Sequence, residues 1–142
     1  MAEEKTLFQK IIDGEIPSSK IYEDENALVI LDIRPVNKGH LLVIPKMRFD
    51  NIYDIPESLI AHLMIVAKKM AKPLKEATRA DGINIIMNNE PAAGQQIANH
   101  AHIHIVPRYL HDGFQSWHGK EQYKEGEQEE YSNQIKTALG GR

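Results

Sequence analysis

His100, His102 and His104 occupy every second position of the run His-Ala-His-Ile-His-Ile-Val-Pro-Arg. In an extended strand successive side chains point to opposite faces, so the three imidazoles share one surface, about 6.5–7 Å apart by strand rise. Ala101, Ile103 and Ile105 take the other face and have the character of core. A neutral imidazole is a competent nucleophile toward phosphorus and titrates near neutrality. That chemistry asks for one free lone pair on the His102 ring and an acceptor for the proton on its other nitrogen. His104 can donate to a developing phosphoryl oxygen, and His100 can order the ring network. The stretch Glu90 to Gln96, rich in Gly and small residues, precedes the strand and can present backbone N–H groups to an anion. Together these features describe an oxyanion site with a nucleophile at its centre. Two other readings stay open. His-x-His pairs on strands ligate zinc, although no obvious carboxylate ligand stands close by. A polar network can also be satisfied wholly inside a sheet.

The elements that position this row follow from periodicity. Leu7, Phe8, Ile11 and Ile12 have helical spacing within Thr6 to Asp13, with Gly14 as the stop. Ile21-Tyr22 and Ala27 to Ile33 read as strands around the turn residues Glu23 to Asn26. After a loop over Pro35 to Gly39, His40 to Pro45 is a continuous apolar run of the kind found in a central strand. Pro56 opens a long helical pattern over Leu59, Ile60, Leu63, Met64, Val66, Ala67, Met70 and Ala71, which Pro73 is expected to kink or break. Asp81-Gly82 is a turn, and Ile83, Ile85 and Met87 alternate along a further strand. Glu127 to Leu139 reads as a terminal helix. Short turns between strands favour an antiparallel sheet, hence an α+β fold with one long and one short N-terminal helix.

A chain of 142 residues, 42% hydrophobic and 26% charged, is expected to form a single domain, 1–142. No apolar run approaches the ~20 residues of a membrane span. Met1 to Lys5 is polar and acidic, unlike a signal peptide, so a cytoplasmic location is expected. Without cysteine there is no disulfide or thiolate chemistry. A net charge of −3 with scattered Lys and Arg argues against nucleic acid as a partner and for a small substrate.

Residues 100–106 match the motif of the histidine triad (HIT) family, and the chain resembles the family's bacterial-type branch over residues 6–120, leaving 121–142 as a polar tail. The resemblance also rests on Leu7 to Ile12 with Glu15-Ile16-Pro17, and on Leu31-Asp32-Ile33 with Pro35. It extends to Gly39-His40, to Leu42 through Lys46, and to Asp112-Gly113-Phe114 with Trp117. It implies a sheet-and-helix fold that dimerises into one continuous sheet, and cleavage of a nucleoside phosphate at the α-phosphorus. In that scheme His102 attacks, His104 binds phosphate oxygens, and His100 and His40 support them. Asp32 grips the ribose hydroxyls. Leu7, Phe8, Ile11, Ile16, Ile30, Ile33 and Leu42 surround the base, a set that core packing alone would also explain. Asn88 or Asn89, and Gly94 with Gln95 or Gln96, fill the phosphate side. The implied substrates are purine nucleoside phosphoramidates or dinucleoside polyphosphates; a non-enzymatic nucleotide-binding protein is the alternative. No cofactor is implied. Relatives often carry a structural zinc at positions that here are Thr6, Gln9 and Arg48, none of them a normal zinc ligand.

Overall fold

The computed structural model describes residues 4–95, 97, 99–115 and 119–140. Its contacts divide the chain into two compact units, Met1–Asp112 and Gly113–Arg142. The first contains helix α1 (Leu7–Ile12), strands β1 (Lys20–Glu23), β2 (Ala27–Leu31) and β3 (Leu41–Pro45), helix α2 (Glu57–Thr78), strand β4 (Gly82–Ile86), a short 3₁₀ turn and strand β5 (Ile103–Arg108). The five strands form one antiparallel sheet in the order β1-β2-β3-β5-β4.

Continuous apolar runs in β2 and β3 mean that both sheet faces are covered. On one face Ala27, Val29, Leu41, Val43, Ile103 and Ile105 pack against Leu63, Val66, Ala67 and Leu74 of α2. On the other, Leu28, Ile30, Leu42 and Ile44 pack against Phe8 and Ile11 of α1. Each fully buried Leu or Ile contributes about 1.5–3 kcal/mol, so these two layers fix the strand register.

Helix α1 is only six residues long and depends on its ends. Thr6 and Gln9 form a reciprocal capping box, the Thr6 hydroxyl accepting from the Gln9 N–H and the Gln9 side chain accepting from the Thr6 N–H. Helix α2 runs through Pro73 to Thr78 instead of ending there. Proline loses one intrahelical bond, but the adjacent Leu74 is buried against the sheet, and that packing outweighs the local cost. The Thr78 hydroxyl donates to the Leu74 carbonyl, and left-handed Arg79 closes the helix. Gly39, at φ +100°, passes so close to Thr78 that an added Cβ would lie 2.7 Å from its Cγ2. Only glycine brings the chain into β3 at that height.

The second unit contains α3 (Glu127–Leu139), with Glu127, Glu129 and Glu130 suited to a helix N-terminus. Among the described residues no helix is long and apolar enough to cross a membrane. Trp117 lies outside the described residues.

Candidate active site

The ladder of β5 begins at Ile103, so His100 and His102 precede it and only His104 lies within it. His104 pairs across the sheet with Leu42, which puts it on the α1 face. The Phe8 ring meets His100 and His102 edge-on, with centroids 5.4 and 4.8 Å away, so all three histidines are gathered under α1. The His102 and His104 rings are 4.8 Å apart, nearer than strand rise suggests, because they lean together in a T-shaped contact. All three are buried, as is His40.

Hydrogen bonds fix the tautomer of each ring, since a carbonyl can only accept and a backbone N–H can only donate. Nε2 of His100 lies 3.0 Å from the Pro45 carbonyl and therefore carries its proton; Nδ1 accepts from the Thr6 hydroxyl at 2.7 Å. Nδ1 of His102 donates to the His100 carbonyl at 3.0 Å, which leaves Nε2 as a lone pair. Nδ1 of His40 accepts from the Val36 N–H at 3.1 Å, so its Nε2 carries the proton and donates to Nδ1 of His104 at 2.9 Å. His104 is thereby left with a proton on its own Nε2. The two free ring nitrogens are a nucleophilic lone pair on His102 and a hydrogen-bond donor on His104.

Electrostatics keep the rings neutral. Burial lowers the pKa of His102, against the opposing effects of the His100 carbonyl and Asp32. Burial, helped by the neighbouring His102 and His40, pushes His104 down to about 4. His40 and His100 are lowered as well, again chiefly by burial. A lone pair on His102 is therefore available at neutral pH.

Beside this row opens a cavity of about 370 Å³ lined by Leu7, Phe8, Ile11, Ile16, Ile30, Asp32, Ile33, Leu42 and His102. The apolar set named from the sequence is thus brought together around one space. Phe8 and Ile11 do double duty as core, while Ile33, 89% exposed, stands at the rim. Asp32 follows β2, accepts from the Arg34 N–H as a turn residue, and keeps its other oxygen 3.7 Å from Nε2 of His40. Asp32 is a turn residue and also lines the cavity. Ile97 also lines the cavity, and nothing in its local sequence pattern marks it.

The structure separates the two asparagines that the resemblance offers for the phosphate side. The Asn89 side chain accepts from the Ile52 N–H at 2.8 Å, and Gln95 donates to the Asp50 carbonyl at 2.7 Å while accepting from the Glu90 N–H. Both amides clamp the 49–54 loop to the 89–95 loop. Asn88 instead lies beside Gly94, its Nδ2 3.8 Å from where a Cβ on that glycine would sit. Gly94 itself has φ +89°, a conformation that favours glycine. Gln96 lies outside the described residues.

At the positions where a zinc site is expected to be missing, Thr6 bonds His100, Gln9 completes the capping box, and the Arg48 guanidinium donates to the Asn99 carbonyl at 2.8 Å. Among the described residues, Asp32, His40 and His104 bring ligand-type atoms within 4.8 Å of one another. A cation there would have to displace the proton shared between His40 and His104, so the group is better suited to holding a proton than a metal.

The HIT domain family matches residues 13–111. An uncharacterized HIT-like protein of Methanocaldococcus jannaschii is 46% identical over 107 residues, 75% of this chain and 81% of that protein. A protein of Saccharomyces cerevisiae named adenosine 5'-monophosphoramidase is 38% identical over 102 residues, 72% of this chain and 61% of that one. The crystal structure of a HIT family member from Bacillus subtilis superposes with a TM-score of 0.86 at 39% identity, covering 94% of this chain and 96% of that one. With its alternating histidines fixed in complementary tautomers beside an apolar cavity, this chain belongs to the histidine triad family.

Proposed function

We propose that this protein is a nucleotide hydrolase that cleaves at the α-phosphorus of purine nucleoside phosphoramidates or dinucleoside polyphosphates. The observation that carries this reading is the lone pair on Nε2 of His102, left free because Nδ1–H is held by the His100 carbonyl. In this reading the base lies against Phe8 and Ile11 and the ribose hydroxyls donate to Asp32. Nε2 of His102 attacks phosphorus, the bond to the leaving amine or phosphate breaks, and a departing amine takes up a proton from solvent, which the water of the second step returns. Nε2–H of His104 donates to a phosphoryl oxygen as charge builds there. Water then attacks the nucleotidyl-histidine, releasing a nucleoside monophosphate and restoring the ring. The name of the Saccharomyces relative favours an adenosine phosphoramidate.

The same reading includes a homodimer joined through β4. That strand lies at the sheet edge, and Ile85 of β4 with Met64 and Ile65 of α2 are exposed apolar side chains. Light scattering giving the mass of one 16.1 kDa chain at micromolar concentration would exclude it. A turnover screen of adenosine and guanosine phosphoramidates against diadenosine polyphosphates tests the activity. Tight nucleotide binding without turnover of any of them would overturn the enzyme reading.

A further inference from the structure

We infer that Thr6 is a positioning residue for the nucleophile, acting through His100; the inference deepens the proposed hydrolase reading and rests on it for its kinetic arm. His102 takes its orientation from the backbone carbonyl of His100, to which its Nδ1–H donates at 3.0 Å. That carbonyl belongs to a peptide unit held from two sides, by the Ala101 N–H donating to the Phe49 carbonyl at 2.8 Å and by the bonds of the His100 side chain. His100 is fully buried, and both of its ring nitrogens are used. Nε2–H reaches the Pro45 carbonyl at the end of β3, and Nδ1 takes the Thr6 hydroxyl proton. The Thr6 oxygen in turn accepts from the Gln9 N–H at 3.1 Å, so one hydroxyl both starts α1 and moors the histidine row.

Donation thus runs from the Gln9 N–H to the Thr6 oxygen and from the Thr6 O–H to His100, whose carbonyl in turn accepts from His102. No donor other than Thr6 meets Nδ1 of His100 among the described residues. Removing the hydroxyl leaves a buried acceptor unpaired, and the ring can relieve that only by moving. Movement of the ring pulls on the carbonyl that holds the proton of His102, against the 2.8 Å bond from the Ala101 N–H to the Phe49 carbonyl. Thr6 touches neither the cavity nor the reacting atoms, so its effect belongs to the geometry of attack and not to ground-state binding.

Three variants and two readouts test this. Thr6→Val removes the hydroxyl at constant shape, Thr6→Ser keeps it, and Gln9→Ala loosens the other half of the capping box without touching His100. Thr6→Val is expected to lower kcat by about tenfold or more with KM within about threefold, while Thr6→Ser and Gln9→Ala keep kcat within about threefold. Histidine ¹⁵N spectra supply the second readout and need no substrate. The wild type should show His100 protonated at Nε2 and His102 protonated at Nδ1, and Thr6→Val should shift both. An equal kcat loss in Gln9→Ala, unchanged kcat and nitrogen shifts in Thr6→Val, or wild-type His100 protonated at Nδ1 would each overturn the inference. If Thr6→Val fails to fold, the wild-type spectrum still decides. If the wild type turns nothing over, the hydrolase reading fails while the nitrogen spectra judge Thr6 separately.

Discussion

Replacing His40 tests whether the second pair of rings works as a relay. Its Nε2–H is the donor that fixes Nδ1 of His104 as an acceptor, and only that assignment leaves a proton on Nε2 of His104 for the phosphoryl oxygen. His40→Leu deletes the donor and leaves a buried ring nitrogen unpaired. Losing a buried partner costs about 1–3 kcal/mol. At 1.4 kcal/mol per factor of ten, that corresponds to a fall in kcat/KM of about 5- to 140-fold if the loss is expressed in the transition state. His40→Gln can place an amide N–H near the lost Nε2 and should recover most of it. The assay is steady-state hydrolysis of an adenosine phosphoramidate at neutral pH, with folding confirmed by thermal melting. A His40→Leu protein within about threefold of wild type, or a His40→Gln protein as impaired as His40→Leu, would refute the relay.

The two asparagines should behave differently: Asn89→Ala loses the anchor of the 49–54 loop and lowers Tm by a few degrees, roughly 1 kcal/mol. Asn88→Ala should leave Tm unchanged and lower kcat/KM about tenfold; the reverse pattern would move the phosphate role to Asn89. Stability measured by urea midpoint should be flat above about pH 7 and fall as pH drops below about 6.5, because four histidines with lowered pKa are neutral when folded and charge readily when unfolded. A second loss should follow below about pH 4. Asp24, despite its partial burial, is held down to about 2 by the Asn26 N–H, the Tyr22 hydroxyl and His62. A midpoint that rises from pH 7 to pH 5 would contradict the neutral-ring assignment. Elemental analysis of the purified protein should find no stoichiometric structural zinc, and a chelator should leave Tm unchanged; one tightly held zinc per chain would show that the Thr6, Gln9 and Arg48 positions were misread.

The alternation of His100, His102 and His104 was enough to place three rings on one face, because a period of two survives whether or not the strand is hydrogen-bonded. It could not show that pairing begins only at Ile103, which depends on β3 ending at Pro45 and turning its carbonyl toward His100. Spacing alone marked Phe8 and Ile11 on a helix and Ile30 and Leu42 on strands as core-like, and only the family resemblance pointed to them as a cavity set. The division of that set between core and cavity was not legible, because it depends on how α1 tilts over the sheet. The resemblance offered Asn89 and Gln95 for the phosphate side, but no local pattern could show that their side chains bond the Ile52 N–H and the Asp50 carbonyl, nearly 40 residues or more away in sequence. The backbone N–H of Val36 that sets the His40 tautomer carries no side-chain signal at all. Pro73 does not end α2, because the burial of Leu74 beside it outweighs local propensity.

The central claim is that Nε2 of His102 is the attacking atom. Mixing enzyme with an excess of adenosine phosphoramidate, quenching in alkali on the millisecond scale and mapping the product by mass spectrometry tests it directly. A nucleotidyl adduct should form on His102 before product, be stable to alkali and labile to acid, and be missing in His102→Ala. That variant should fall below about a hundredth of wild-type turnover while binding nucleoside monophosphate within about tenfold. Turnover above that level in His102→Ala, or an adduct mapped to another residue, would contradict the claim.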